Sequence, residues 1–255
     1  MRFACLGSGS RGNALIVEQG RTRLMMDCGY PVREAERRLE RLRLTPGDLA
    51  GILVTHEHSD HIAGAYKLAR KHDLAMWMTH GTFNGFARDA AALPQITLID
   101  GYSPFAVGEL QLLPYPVPHD AREPAHFVFS DGARRLAVLT DAGTPTSHIE
   151  SMLSGCDALV LECNHDLDML MNGDYPQALK ARVAGRYGHL DNQSAASLLA
   201  ALDQRRLQHV IAAHLSQDNN TPTLARNALA QVLGCAPGWI GVADQDEGFG
   251  WREIV

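Results

Sequence analysis

No apolar run in this sequence reaches the roughly 18 residues that a membrane-crossing helix needs, so no segment is expected to span a bilayer. The first apolar run, Phe3 to Leu6, breaks at Gly7–Ser8–Gly9–Ser10. A secretory signal would continue, so a cytoplasmic protein is expected. Cysteine is scarce and unpatterned: Cys5, Cys28, Cys156, Cys163 and Cys235 are odd in number and show no C-x-x-C spacing. That argues against a disulfide framework and for reduced, buried thiols. Positive charge is also in short supply, with 23 Lys and Arg against 29 Asp and Glu, a net charge of −6 and an isoelectric point near 6.0. Domains held on nucleic acid by bulk charge have isoelectric points above about 9, so that class is excluded while a local basic track is not. Repeats, linkers and low-complexity tracts are absent. The 255 residues, 45% of them hydrophobic, can bury a full core, and a single domain over residues 1–255 is expected. No feature specifies an oligomer.

Strands are expected at Arg2–Leu6, Ala14–Glu18 and Leu24–Asp27, with Gly7–Gly12 between the first two as a hairpin turn or a phosphate-cradling loop. Pro31 suits the first position of a helix whose apolar face is Val32, Ala35, Leu39 and Leu42. Its charges, Arg38 among them, are expected on the solvent face. Further strands are expected at Gly51–Val54, Leu74–Met78, Ile96–Ile99, Leu110–Tyr115, Arg135–Thr140, Ala158–Glu162 and His209–Ala213, with helices near His80–Ala92, Pro176–Arg186, Asn192–Asp203 and Leu224–Leu233.

The chain is organised around His56-x-His58-x-Asp60-His61. It joins the apolar run Gly51–Val54 to Ile62, Ala65, Leu68 and Ala69, which recur at helical spacing, so it lies on a strand-to-helix loop. In an extended loop His56 and His58 point the same way and can share one metal ion. Asp60 and His61, at the turn into the helix, face another point and suit a second. Imidazole suits Zn and Fe, and carboxylate suits harder ions such as Mn. Other polar residues fall at or just past the C-terminal ends of apolar runs: Asp141, Glu162 and His214. Ligand sites in open α/β sheets collect at such ends. His119 can complete a three-histidine site, Asp141 can bridge two ions, and His214 can join Asp60 and His61.

The order Asp27, His56-x-His58-x-Asp60-His61, His119, Asp141, His214 resembles the motif series of the metallo-β-lactamase superfamily over nearly the whole chain. The resemblance implies an α/β (α+β) fold, the αβ/βα four-layer sandwich with two mixed β-sheets inside and helices outside. It implies that Asp27 braces the histidine loop rather than binding metal. Leu161–Asp166, Gly188–Asn192 and Ala213–Asn220 resemble the YycJ/WalJ group, regarded as DNA exonucleases acting from the 5′ end, and are similar in layout to ribonuclease Z. Asp191 stands where that group is expected to carry Ser.

The expected function is therefore that of a phosphodiesterase with two divalent ions, Zn or Mn with Fe as a further candidate, most simply a 5′-to-3′ DNA exonuclease. Two ions about 3.5–4 Å apart would activate a bridging hydroxide. Asp60, His189 and Glu162 are the candidate catalytic residues, with His189 as general acid and Glu162 orienting it, because a poor alkoxide leaving group benefits from a proton donor. Arg11, Lys180, Arg182 and Arg186 are candidate phosphate contacts, with solvated charge as the alternative for each. His165 either orients the site loop or caps a helix, and His126 is expected to be structural. Alternative readings are another hydrolase of the same fold (an RNase, cyclic phosphodiesterase, thioesterase or lactonase) and a non-catalytic metal-binding scaffold.

Overall fold

The computed structural model of the chain describes residues 1–86 and 95–255. The first strands are β1 (Arg2–Gly7), β2 (Ala14–Gln19), β3 (Thr22–Met26), β4 (Gly51–Leu53), β5 (Ala75–Thr79) and β6 (Ile96–Ile99). Then come β7 (Phe105–Val107), β8 (Leu110–Pro116), β9 (Ala125–Ser130), β10 (Arg135–Leu139), β11 (Ala158–Glu162), β12 (His209–Ala213), β13 (Gly241–Val242) and β14 (Phe249–Glu253). The helices of the first half are α1 (Val32–Arg41), α2 (Ser59–Ile62), α3 (Ala65–His72) and α4 (His80–Phe86). Those of the second are α5 (Ser147–Leu153), α6 (Leu167–Asn172), α7 (Gln177–Val183), α8 (Asn192–Ala201) and α9 (Pro222–Leu233).

The strands form two sheets, ordered β14-β1-β2-β3-β4-β5-β6 and β13-β12-β11-β10-β9-β8-β7. In the first, β1 to β3 run antiparallel and β3 to β6 parallel. In the second, β7 to β10 alternate and β10 to β13 run parallel. Parallel strands covered on both faces read as unbroken apolar runs, which is the pattern of β10, β11 and β12. Ala35, Leu39, Ala65 and Leu68 of α1 and α3 pack on Ile16, Met25 and Ile52 of the first sheet. Phe3, Val17 and Leu24 face Phe127, Leu136 and Val160 between the sheets. Ile149, Leu198 and Leu229 of α5, α8 and α9 cover Leu159, Leu161 and Val210. Three apolar layers between four structural ones make the expected αβ/βα sandwich.

The register decides where the site lies. Leu139 pairs with Leu161 and Glu162 with Ala213, so Asp141, Glu162 and His214 come out along one sheet edge. In the first sheet Met26 pairs with Leu53, which sets Asp27 beside Thr55. Asp27, Asp141 and His214 all turn the chain through left-handed backbone, with φ of 61°, 52° and 55°. Asp and His are among the residues enriched there, at a cost of order 1–3 kcal/mol each. Gly29 is required by close approach: a Cβ there would collide with the Asp60 carbonyl.

Several expectations shift. Pro31 is the N-cap of α1 rather than its first residue. Arg38 leaves the solvent face: it is buried, donates to the carbonyls of Leu6 and Gln245, and stacks on Tyr30. A long side chain can bury its stem while its head satisfies carbonyls, which an apolar pattern does not register. The Gly7–Gly12 segment is a hairpin turn between β1 and β2. The described part of the His80–Ala92 helix is α4, and the remainder lies outside the described residues. The short helices α5 and α6 had not been expected, although Thr146 and Asp166 cap them by accepting from Ile149 N and Met169 N.

Candidate metal centre

The His56–His61 segment is pinned from beneath. Asp27 accepts from Thr55 N at 2.8 Å and from Thr55 Oγ1 at 2.9 Å, and its Oδ2 lies 2.8 Å from His61 Nδ1. Cys28 N donates to the His61 carbonyl at 2.7 Å, and Asn13 N donates to the Asp60 carbonyl at 2.8 Å. With His61 Nδ1 donating to Asp27, His61 Nε2 is left as the nitrogen that could bind a metal ion.

The same division holds for the other imidazoles. Thr55 Oγ1 spends its proton on Asp27 and so accepts from His56 Nδ1 at 3.0 Å. His119 Nδ1 donates to the Gly188 carbonyl at 3.2 Å. His214 Nδ1 lies 3.3 Å from Glu162 Oε1. His58 is reversed: its Nδ1 faces His119 Nε2 at 3.1 Å, and its Nε2 faces Asp120 Oδ1 at 3.8 Å. His56, His61, His119 and His214 each have an outer partner within 3.3 Å that orients the ring and leaves one nitrogen pointing inward, as metal-ligating histidines require.

The inward atoms form two groups, His56, His58 and His119, and Asp60, His61, Asp141 and His214, each with its ligand atoms within 4.8 Å of one another. Asp141 lies between them: its Oδ2 is 3.1 Å from His61 Nε2, and its Oδ1 is 3.5 Å from His214 Nε2 and 4.0 Å from His119 Nε2. His56 Nε2 and His214 Nε2 are buried without a hydrogen-bond partner. Unpaired buried nitrogens beside carboxylates are what a divalent cation would satisfy, so the residues fit two such ions. A third group, Asp141, Glu162, His189 and His214, is a hydrogen-bonded cluster, because Glu162 Oε1 already holds His189 Nδ1 at 2.8 Å.

Protonation follows from this crowding. Burial pushes His214 down, but Asp141, Asp60 and Glu162 outweigh it and lift it to about 10. His61 is raised against burial by Asp141 and Asp27. Burial pushes the Asp141 carboxyl up, yet the charges of His214 and His61 hold it well below the usual range. Without a cation the site therefore takes up protons, and metal binding must displace them. Asp27, Asp120 and Glu162 bring the carboxylates around the centre from two to five, and of these three Asp120 had not been expected.

Above these two groups lies a cleft of about 380 Å³. His58, Asp60, His119, Asp141, His189 and His214 form its floor, and Ser10, Asp120, Asn164, Tyr175, Leu179 and Arg182 are among its walls. Of the candidate phosphate contacts, Arg182 lines the cleft. Arg11 is paired with Asp246 at the surface, and Lys180 is buried, donating to the Met171 carbonyl. The Arg186 carbonyl accepts from Thr144 Oγ1, and its side chain is not among the cleft walls. His165 is buried beside Asn164 Oδ1, and its carbonyl accepts from Asn192 N, so it ties the site loop to α8. Asp191 caps α8 through Gln193 N and Ser194 N, a task Ser also performs. His126 is buried on β9 with neither ring nitrogen hydrogen-bonded, and burial lowers it to about 3, so it is neutral. Three residues escaped the sequence reading: Asn13, whose Nδ2 lies 3.1 Å from His61 Nε2, Thr55 and Asp120. Asp120 follows a recognised ligand, which was the one available signal.

A family model described as a beta-lactamase superfamily domain matches residues 22–211, which includes Asp27 through His189 and stops short of His214. Exodeoxyribonuclease YycJ of Bacillus anthracis is 37% identical over 235 residues, covering 91% of this chain and 89% of that protein. Exodeoxyribonuclease WalJ of Streptococcus pneumoniae is 29% identical over 245 residues, covering 94% and 91%. The crystal structure of the metallo-beta-lactamase fold protein YhfI from Bacillus subtilis matches with a TM-score of 0.75 at 15% identity, covering 99% of each chain.

Proposed function

The chain belongs to the beta-lactamase superfamily, and from that premise we propose that it is a phosphodiesterase with two divalent ions, a DNA exonuclease working from the 5′ end. It is a hydrolase acting on ester bonds, and the two similar proteins named exodeoxyribonucleases support DNA as its substrate. His56, His58 and His119 would hold one ion and Asp60, His61 and His214 the other, with Asp141 between them. Bound there, divalent ions supply Lewis acidity at the scissile phosphate and a water acidic enough to react near neutral pH.

The observation that carries the phosphodiester reading is the Glu162–His189 pair. His189 Nδ1 lies 2.8 Å from Glu162 Oε1 and 3.6 Å from Asp141 Oδ1, and the ring lines the cleft. Burial pushes His189 down, but the charge and hydrogen bond of Glu162 outweigh it and raise its pKa. Glu162 thus holds Nδ1 and favours the protonated ring, in which Nε2 is the remaining donor. Glu162 is held in turn by Ala142 N at 2.9 Å and Leu190 N at 3.2 Å. A fixed donor helps a leaving alkoxide, which is a strong base, far more than a thiolate or nitrophenolate.

The test is to supply the purified protein with Mn or Zn and to offer end-labelled single- and double-stranded DNA and RNA, bis-p-nitrophenyl phosphate and a thioester. Mononucleotide release from the 5′ end of DNA is expected. Thioester turnover without DNA cleavage would overturn the reading in favour of another hydrolase of this fold.

A further inference from the structure

Among the described residues that line the cleft, Arg182 is the single Arg or Lys. Its Nε donates to Asp120 Oδ2 at 2.7 Å. The two Nη groups donate to no protein group among the described residues, and the side chain is 63% exposed. Asp120 is shared. Its other oxygen, Oδ1, lies 3.5 Å from His119 Nε2 and 3.8 Å from His58 Nε2, and its backbone N is held by the Tyr187 carbonyl at 3.1 Å. One carboxylate therefore separates the guanidinium from the histidine trio and fixes the edge it presents. Leu179, one turn before Arg182 on α7, and Tyr175 stand on the same wall.

We propose that Arg182 forms a phosphate subsite beside the metal centre, which binds a non-scissile phosphate of a single DNA strand, with Asp120 as the positioning residue that holds the guanidinium. The proposal rests on the nuclease reading and specifies its substrate contact. The chemistry follows from the geometry. A guanidinium anchored at Nε offers its two Nη groups as a fork that matches two phosphate oxygens. The Asp120 carboxylate keeps that fork from the ligand groups, so the phosphate it takes is a neighbour of the one being cleaved. Among the described residues no second Arg or Lys lines the cleft to replace this contact.

The experiment uses oligodeoxynucleotides carrying one uncharged methylphosphonate at successive linkages, with wild type, Arg182→Ala, Asp120→Ala and Asp120→Asn, each checked for metal content. One linkage should raise the wild-type KM about 10- to 100-fold, the worth of a charged hydrogen-bonded contact. Arg182→Ala should show that same rise on the all-phosphate strand, no further rise at that linkage, and a smaller loss on bis-p-nitrophenyl phosphate. It should also lower the log–log salt slope of single-strand binding by about 0.7, one phosphate's share. Asp120→Ala should match it in KM, and Asp120→Asn, which retains an acceptor for Nε, should recover part. An unchanged KM and slope in an Arg182→Ala enzyme that degrades DNA overturns the subsite alone, as does loss of metal or equal loss on both substrates. A wild type that cleaves no oligonucleotide overturns the nuclease reading and the subsite with it.

Discussion

The two sheets furnish the centre by different means. The first supplies His56, His58, Asp60 and His61 from one stretch that runs from the β4–α2 connection into α2, and one carboxylate, Asp27, organises it through Thr55 and His61. The second supplies one residue per connection: His119 after β8, Asp141 after β10, Glu162 at the end of β11, His189 between α7 and α8, and His214 after β12. Geometry in the first half is local and set by chain spacing. In the second it is global and set by the alignment of three parallel strands. A local error in the first half should thus disturb one ligand group, while an error in the second should disturb whatever that residue alone reaches.

Asp141 offers the severest way to break this contrast, since it alone faces both groups. Its φ of 52° would strain alanine, so Asp141→Asn is the cleaner change because Asn tolerates that backbone. We expect about 10⁴-fold or greater loss of phosphodiesterase activity, several kcal/mol of charge stabilisation, and fewer than two ions retained after dialysis. Full activity with two tightly held ions would refute the shared role. Next in size is His189→Ala, which removes a group held by the second half only. A loss of roughly 10²–10⁴-fold is expected on oligonucleotides, and much less on bis-p-nitrophenyl phosphate. Equal losses, or loss of metal, would make His189 a structural residue.

How far the sequence carried follows the same division. The loop was legible because four chemistry-bearing residues within six positions exceed what a polar surface needs. Asp141, Glu162 and His214 were legible from their place at the ends of apolar runs, since parallel strands expose their ends together. Asn13 and Thr55 were not legible, because their task is to hold atoms that only the fold brings near: Asn13 meets Asp60 across 47 residues. Arg38 was misplaced because a face pattern treats a long cation as solvated. Arg11, Lys180 and Arg182 looked alike in sequence, and local partners, Asp246, the Met171 carbonyl and Asp120, separate them.

Asp27→Asn sharpens the contrast more gently. Asparagine accepts the left-handed turn at φ 61° but loses the charge that holds His61 Nδ1–H. Outer partners of ligating histidines are worth about 10- to 100-fold in metal affinity, so a loss of that size is expected for one ion, measured by competition with a chelator. The ion held by His56, His58 and His119 should be weakened less. If both ions weaken equally, Asp27 braces the whole centre and the first half is not as local as its spacing implies.

The mildest test asks whether the first sheet is simply a rigid platform for its loop. Glu18 pairs across β2 and β3 with Arg23, at the end of that hairpin opposite Met26 and the Asp27 turn. Its carboxylate takes Arg2 Nε at 2.7 Å and also Arg23 Nε. Burial pushes the Glu18 carboxyl up, but the two guanidiniums outweigh it and hold it below its usual value of 4.5. A carboxylate lowered by folding contributes stability that is fully present above its unfolded value and is lost as pH falls through its folded one. Glu18→Gln should therefore cost roughly 0.5–1 kcal/mol at pH 7 by urea unfolding, the scale of a partly exposed ion pair. The gap from wild type should narrow below about pH 4, as Glu18 takes up a proton and the wild type loses the charge that Gln never carries. Metal affinity at pH 7 should stay as in wild type, because the strands between Glu18 and Asp27 transmit no change of register. If Glu18→Gln weakened metal binding as much as Asp27→Asn, the loop's geometry would depend on the far end of the sheet, and the division between a local half and a global half would fail.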